Sequence, residues 1–207
     1  MPRGTAVRRA AASPTKDIII EAALRTVRDL GYSRTTARAV AREGGFNQAL
    51  IFYHFGSLKN LLLAALDRTS GARMERYRQA VAQAHSFDDL VGVAITIYRE
   101  DLEEGHMTVA SEMIAGGVAD PELRPQIVAR AHQWVDFVEE AIRPMLERSP
   151  FGAVAPARNM AFALVAFYCG VNIFSRLEED HAQTDALFEM AARVAPLLSP
   201  FFGPTQA

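Results

Sequence analysis

Residues 52–55 of the sequence read Phe-Tyr-His-Phe and follow closely on Asn47 and Gln48. Four consecutive residues of a helix cannot all face one core, so some of these rings must point outward. An outward Gln48 can hydrogen-bond the edge of a base, and Tyr53 and His54 can donate hydrogen bonds to phosphate oxygens. His54 has no acidic residue or histidine three or four positions away, which argues against acid–base catalysis. The segment therefore favours a nucleic-acid surface.

A second polar group, Glu103, Glu104 and His106, could bind a metal or transfer a proton. A run of charges at a helix end is more often a solvated surface. The sequence also shows no nucleophile motif, glycine-rich phosphate loop or spaced metal ligands. We therefore expect no catalytic residue, no cofactor and no metal, and keep a helical metal-dependent enzyme as the alternative. The single cysteine, Cys169, excludes an internal disulfide and fits a cytoplasmic protein.

The formal net charge of −2 conceals an asymmetry along the chain. Residues 1–62 carry ten Lys or Arg against four Asp or Glu, whereas residues 63–207 carry twelve against twenty. A basic front on an acidic body indicates that only the front meets a polyanion. Chance clustering of charge would give the same numbers, so charge alone does not decide the matter.

Hydrophobic periodicity predicts helices almost throughout, and no sustained alternation or Asn-Gly hairpin turn indicates strands. The fold class we predict is all-α, with a helix-turn-helix head and a larger helical bundle. The most apolar window, residues 159–175, approaches the length of a membrane span, but its polar residues favour a buried helix and no membrane partner. The predicted helices cover residues 15–30, 36–43, 47–55, 57–83, 87–103, 107–114, 121–148, 156–176 and 185–198.

The second and third predicted helices, joined by a sharp turn, form a helix-turn-helix arrangement. Gly44 and Gly45 supply the turn. Thr35 or Thr36 would cap the supporting helix, and Asn47 would cap the recognition helix. The recognition helix would turn Phe46, Ile51 and Phe55 inward, and Gln48, Ala49, Phe52 and Tyr53 outward.

Residues 16–66 resemble the DNA-binding domain of the tetracycline-repressor (TetR) family. The family pattern is matched in order and spacing by a series of short motifs. They are a helix followed by Gly-Tyr, then Thr-Thr, Val-Ala and Gly-Gly, then aromatic-Tyr-His-Phe, and finally Ser with Asn-Leu-Leu. The resemblance implies a homodimeric transcriptional regulator, most often a repressor, whose helical C-terminal domain binds a small molecule. The DNA contacts we predict are Thr35, Thr36, Arg38, Asn47, Gln48, Ala49, Leu50, Phe52, Tyr53, His54 and Lys59.

Four departures from the family pattern alter the expected contacts. Gly44 stands where alanine is usual, which should loosen the turn. Phe52 replaces a tyrosine and loses its hydroxyl, and Leu50 replaces a small or polar residue, which suggests an apolar contact such as a thymine methyl. The family often has lysine directly after the serine that begins the fourth helix. Here Leu58 occupies that position, so Lys59 would reach a phosphate from a different angle.

We predict a basic arm over residues 1–14, a DNA-binding domain over 15–62 and an effector-binding and dimerising domain over 63–207. The three arginines of the arm could enter a minor groove, or the arm could be a disordered tail with diffuse attraction to DNA. The DNA partner expected for such a dimer is an inverted-repeat operator.

The C-terminal body contains aromatic and methionine side chains at helical spacing, which could line a pocket for a small hydrophobic effector or be ordinary core. A DNA-binding dimer with no ligand is a further alternative. We predict a homodimer through the helices at 158–176 and 185–198, and a flexible break at Gly116 and Gly117. The candidate effector residues are Met107, Met113, Trp134, Phe137, Phe162, Phe167, Tyr168 and Asn172, with His132 as another polar candidate.

Overall fold

A computed structural model describes residues 14–178 and 180–202, so the predicted arm lies outside the described residues apart from Pro14. The described chain is helical with no strand, which confirms the predicted all-α class. Short 3₁₀ turns lie at Tyr32–Arg34, Pro150–Ala153 and Ser199–Phe201. The α-helices are α1 Pro14–Leu30, α2 Ala37–Gly44, α3 Ala49–Phe55, α4 Leu58–Ala82, α5 Phe87–Glu104, α6 His106–Ala119, α7 Arg124–Glu147, α8 Ala157–Leu177 and α9 Ala182–Leu198.

The chain divides into an N-terminal unit that ends at Ala65 and a C-terminal unit that begins at Leu66. The division predicted from the sequence falls three residues earlier. Helix α4 starts in the first unit and continues into the second, so it is the covalent link between them.

Side-chain caps define the helices of the N-terminal unit. The Thr36 hydroxyl accepts a hydrogen bond from the Ala39 N–H at 3.1 Å, and the Asn47 side chain accepts one from the Ala49 N–H at 2.9 Å. These bonds satisfy N–H groups that have no partner inside the helix. Gly45 has φ of 68°, a left-handed conformation that glycine adopts without strain. The core of this unit is formed by Ile19, Val40, Ile51 and Leu61, which are fully buried.

The C-terminal unit contains the rest of α4 and helices α5–α9. Helix α7 packs against α6 and α8, and α5 packs against α9. The helix end predicted at Gly116 and Gly117 is wrong, because α6 continues to Ala119 and both glycines are buried inside it. A Cβ at Gly117 would lie 3.0 Å from the Ile127 side chain, so its small size allows α6 and α7 to approach. The glycines are a packing surface, and the flexible break is not present.

Helix α8 carries apolar residues on all sides. It is long and apolar enough to cross a membrane, but one such helix is only weak evidence for a membrane protein. Within the chain, 22% of its most apolar window is buried. The sequence predicts a helix covered on every side. The single chain leaves much of one side open, with Phe162, Phe174 and Leu177 between 61% and 75% exposed.

Substituting Gly44 by alanine is expected to destabilise the N-terminal unit, contrary to the prediction that glycine only loosens this turn. An added Cβ would overlap the Phe46 ring and lie 2.8 Å from the Ala22 Cβ of α1. Overpacking of this kind costs about 1–3 kcal/mol.

The free energy of unfolding of the Gly44→Ala protein in urea measures this cost. As the control, Gly71→Ala in α4 meets nothing within 4 Å and should raise stability by up to about 1 kcal/mol through helix propensity. A Gly44→Ala protein as stable as Gly71→Ala would contradict this packing.

Candidate DNA-binding surface and buried polar cluster

Helix α3 turns one side inward and one side outward, as its sequence predicts. Ile51 is fully buried, while Phe52 is 50% and Tyr53 82% exposed. Gln48 and Ala49 are also exposed, and the half-buried His54 ring meets the Tyr53 ring edge-on with centroids 4.8 Å apart. An exposed surface of this kind presents an amide, a phenol and an imidazole beside a small residue, which suits close approach to a groove.

The end of α3 is tied to the start of α4. The Asn60 side chain donates a hydrogen bond to the Phe55 carbonyl at 3.0 Å, and the Ser57 hydroxyl accepts one from the Asn60 N–H at 3.1 Å. Half-buried Lys59 lies in this first turn of α4, directly after Leu58. The bonds fix the turn, so they set where Lys59 stands relative to α3.

Thr35 does not lie on the outward surface. It is 7% exposed, and its hydroxyl donates to the Gly31 carbonyl at 2.7 Å. It therefore holds the turn between α1 and α2, and its position does not support the predicted DNA contact. The cap of α2 is Thr36, which is exposed.

A concave surface of about 530 Å³ lies beside α2 and the start of α3. Two arginines on successive turns of α2, Arg38 and Arg42, line it together with Gln48 and the backbone at Gly45. Guanidinium groups bind phosphate oxygens well. Sequence reasoning identified Arg38 and missed Arg42, although their spacing of four residues places them on one helix face.

The comparisons with known proteins fit this geometry. Residues 19–65 match the family described as bacterial regulatory proteins, tetR family. The HTH-type transcriptional repressor AcnR of Corynebacterium glutamicum is 32% identical over 134 residues, which is 63% of each chain. The chain is a member of the TetR family. It is thus a DNA-binding transcriptional regulator with a helix-turn-helix.

Solved structures of TetR-family regulators share the fold over most of the chain. The fatty acid degradation regulator FadR from Bacillus halodurans superposes with a TM-score of 0.72 at 17% identity, covering 89% of this chain and 96% of that one. FadR from Bacillus subtilis, solved in complex with stearoyl-CoA, has a TM-score of 0.66 at 16% identity and covers 86% and 96%. At such identities the likeness establishes the fold alone.

The predicted effector residues of this TetR-family chain do not form one group. Met107, Met113 and Asn172 are buried, as is Phe137. Phe162 and Phe167, in contrast, are 61% and 50% exposed on α8, so they do not line an interior pocket. His132 is also exposed and lies 3.4 Å from the Arg158 guanidinium, which rules it out as an interior polar group. Periodicity failed here because α8 is apolar on every side.

A buried polar cluster lies in the C-terminal unit, and three of its members, Arg73, Tyr77 and Asp101, were not predicted. Asp101 of α5 is fully buried and accepts hydrogen bonds from the hydroxyl of Tyr77, at 2.6 Å, and from that of Tyr168. It also accepts one from the guanidinium of Arg73, which is 5% exposed. The Arg73 guanidinium lies over the Trp134 ring, 5.1 Å from its centroid. Helices α4, α5, α7 and α8 each contribute to this cluster.

The ionisation of the cluster follows from burial and from the single ion pair. Burial has the largest single effect and would lower the pKa of Arg73, but the Asp101 carboxylate and the two tyrosines together outweigh burial and raise the pKa above its ordinary value. Burial raises the pKa of Tyr77 and of Tyr168. Burial and the nearby Arg73 charge lower the pKa of His106. At neutral pH the arginine is therefore charged and both tyrosines keep their hydrogen-bonding protons.

Two residues of the predicted metal alternative, Glu104 and His106, are in contact, but Glu103 does not join them. Glu103 is exposed, Glu104 pairs with Arg76 at 3.3 Å, and His106 Nδ1 lies 2.9 Å from Glu104 Oε2. In the described part of the chain, no three His, Cys, Asp or Glu side chains are placed to hold a metal ion. These contacts connect α4, α5 and α6, and nothing in them favours a metal-dependent enzyme.

Proposed function

We propose that this TetR-family regulator is a cytoplasmic dimeric repressor that binds an inverted-repeat operator and responds to a small-molecule effector. The observation that supports operator binding best is the outward side of α3, where Tyr53 is 82% exposed beside Gln48 and Ala49. A monomeric soluble protein gains nothing in stability from an exposed tyrosine on so short a helix. Recognition helices of helix-turn-helix proteins lie in the major groove, where such residues contact base edges or the adjoining phosphates.

Roles differ between residues that read bases and residues that hold the phosphate backbone. We assign base contacts to Gln48, Ala49, Leu50 and Phe52, since they lie on α3 or directly before it. We assign backbone contacts to Thr36, Arg38, Tyr53, His54 and Lys59, with Asn47 as the cap that orients α3. Arg42 joins the backbone group because it lines the same concave surface as Arg38.

Substitution of Gln48 and Lys59 separates the two roles. Gln48→Ala is expected to reduce the preference for operator over scrambled DNA by about 1–3 kcal/mol, because a base-edge hydrogen bond is lost. Lys59→Ala should weaken both duplexes alike and reduce the slope of log affinity against log salt by about one unit. Fluorescence anisotropy at several salt concentrations measures both quantities.

The control for charge is Arg99→Ala, which removes an exposed cation from α5 in the C-terminal unit. Its salt slope should equal that of the unmodified protein. A Lys59→Ala slope that matches Arg99→Ala would reject the phosphate contact, and a Gln48→Ala protein with full operator preference would reject the base contact.

Exposed apolar residues on α8 and α9 support the dimer. On α8, Phe174 and Leu177 are 67% and 75% exposed, and on α9, Met190 and Leu197 are 54% and 72% exposed. The two helices contact each other, and monomeric proteins rarely expose large apolar patches. A two-fold axis lets the same two helices of a second copy cover these residues.

The effector proposal rests on the C-terminal unit. Met107 and Phe137 supply buried apolar surface next to the polar cluster, and Met113 is buried on the same helix as Met107, so we expect a largely hydrophobic effector with one polar end. The stearoyl-CoA bound by B. subtilis FadR shows that the fold accommodates an acyl chain in that protein.

A thermal-shift screen of hydrophobic compounds tests the effector proposal. Each compound that raises the melting temperature of the protein is titrated with and without operator DNA, because linkage requires an effector to bind more weakly to the DNA complex. Equal binding in both cases excludes the compound as an effector, and a broad screen without hits favours the ligand-free dimer.

A further inference from the structure

The guanidinium of Arg73 lies inside a box of rings and one carboxylate. We propose that this box is a cation-binding site which Arg73 occupies when the effector is absent, and that the effector is a hydrophobic organic cation that replaces it. The box consists of Asp101, Tyr77, Tyr168, Trp134 and Met107. The link to DNA release rests on the proposed function, whereas the binding site itself does not.

Each wall of the box suits a positive group. The Arg73 guanidinium carbon lies 5.1 Å from the Trp134 ring centroid and 5.7 Å from that of Tyr77, within the range of cation–π attraction. The Met107 sulfur lies 3.7 Å from Arg73 Nη2. The Asp101 carboxylate is fully buried and bonds to the same guanidinium. Aromatic faces around a carboxylate are how proteins recognise organic cations.

Charge balance selects the ligand class. A neutral ligand that displaced Arg73 would leave the Asp101 carboxylate buried without a counter-charge, and an anion would add a second negative charge beside it. A cation alone replaces Arg73 with the balance kept. The tyrosine hydroxyls stay as donors to Asp101 in either state, because burial keeps the pKa of both above its ordinary value.

An acidic groove lies beside the box. It has a volume of about 440 Å³, runs between α4 and α5, and has Tyr77 of the box in its wall. Its lining includes three carboxylates, Asp88, Asp89 and Glu100, against one arginine, Arg76, which pairs with Glu100 at 3.5 Å. A groove with this excess of negative charge attracts cations and repels anions. It would concentrate cations on the Tyr77 side of the box, where Arg73 and Tyr77 would have to move to admit one.

The sole tryptophan of the chain, Trp134, reports on the box directly. The full-length protein, without DNA, is titrated with octylguanidinium and with two analogues of equal chain length, neutral octylurea and anionic octanoate. The expected result is a saturable change in tryptophan emission with octylguanidinium and at least tenfold weaker binding of the other two. Equal binding of octylurea or octanoate, or no response to octylguanidinium, overturns the cation site.

Two variants test the position of the ligand. Asp101→Asn should weaken octylguanidinium at least tenfold, while Glu103→Gln, which removes an exposed carboxylate from the same helix, should leave its affinity unchanged. If Asp101→Asn does not fold, Arg73→Ala provides the second test. Its lowered melting temperature should be raised by millimolar methylguanidinium and not by methylurea. Equal effects of methylurea and methylguanidinium, or equal affinities of the two carboxylate variants, contradict the assignment.

Operator DNA is added only in the last experiment, so a failure of the cation site and a failure of the proposed regulatory function can be told apart. Octylguanidinium should reduce operator affinity of the unmodified protein, and less so in Asp101→Asn. Saturable binding in the box with unchanged operator affinity overturns the cation as effector and leaves the site itself supported. Failure to bind any operator rejects the proposed function without bearing on the box.

Discussion

Asp101→Asn is expected to lower the free energy of unfolding by about 3–5 kcal/mol. The carboxylate is fully buried and is the bonded counter-charge of Arg73, which is itself 5% exposed. Without it the guanidinium stays buried and uncompensated. The cost is that of an unpaired charge and exceeds what the bond itself contributes. Urea denaturation followed by circular dichroism measures the loss.

A double-mutant cycle provides the control. Arg73→Met removes the charge that Asp101→Asn leaves behind, so the double variant should lose less stability than the sum of the two single variants. Exposed Glu104, which pairs with Arg76, gives the surface comparison, and Glu104→Gln should cost less than about 1 kcal/mol. Additive losses in the cycle, or an Asp101→Asn loss as small as that of Glu104→Gln, would show that the ion pair is not coupled as its burial indicates.

Leu177→Glu is expected to convert the proposed dimer to a monomer and to reduce operator affinity by about 10²–10⁴-fold. Leu177 is 75% exposed at the end of α8. At a two-fold interface each substitution appears twice, so two carboxylates would be buried against an apolar surface without partners. The monomer loses the gain in affinity that two linked half-site contacts provide. Light scattering at micromolar concentration and operator titration measure the two effects.

Val118→Glu is the matched comparison, because Val118 of α6 is 71% exposed and lies on neither α8 nor α9. It should leave both the dimer and the operator affinity unchanged. If Leu177→Glu remains dimeric, or if Val118→Glu dissociates the protein, the interface is not formed by α8 and α9.

Local signals made much of the N-terminal unit predictable. Thr36 and Ser57 accept hydrogen bonds at the starts of the helices that follow them, as their residue types indicate. Asn47 does the same for the Ala49 N–H from one residue before the N-cap position of α3, and Gly45 takes the left-handed conformation that the turn requires. These features depend on a few neighbouring residues, which the sequence displays directly. The effect of Gly44 was not predictable in this way, because it depends on Ala22 of another helix.

The C-terminal unit was less predictable because its decisive contacts are distant in sequence. Arg73 and Asp101 are separated by 28 residues, and Tyr168 lies 67 residues beyond Asp101. A signal did exist, since Arg73 and Tyr77 are four apart and share a helix face. Nothing in the periodicity showed that this face is buried. The apolar residues of α8 gave the opposite error, since Phe162 and Phe167 belong to exposed surface although their type suggested a pocket.

Selection of bound duplexes from random DNA tests operator recognition by α3 most directly. We predict enrichment of an inverted repeat whose half-site centres lie about 34–36 Å apart, or a multiple of that distance, as two recognition helices of a dimer require. In the same experiment Gln48→Ala should relax the preference at defined positions of each half-site. Recovery of no common sequence, or of a single half-site without its inverted copy, would contradict dimeric operator binding through α3.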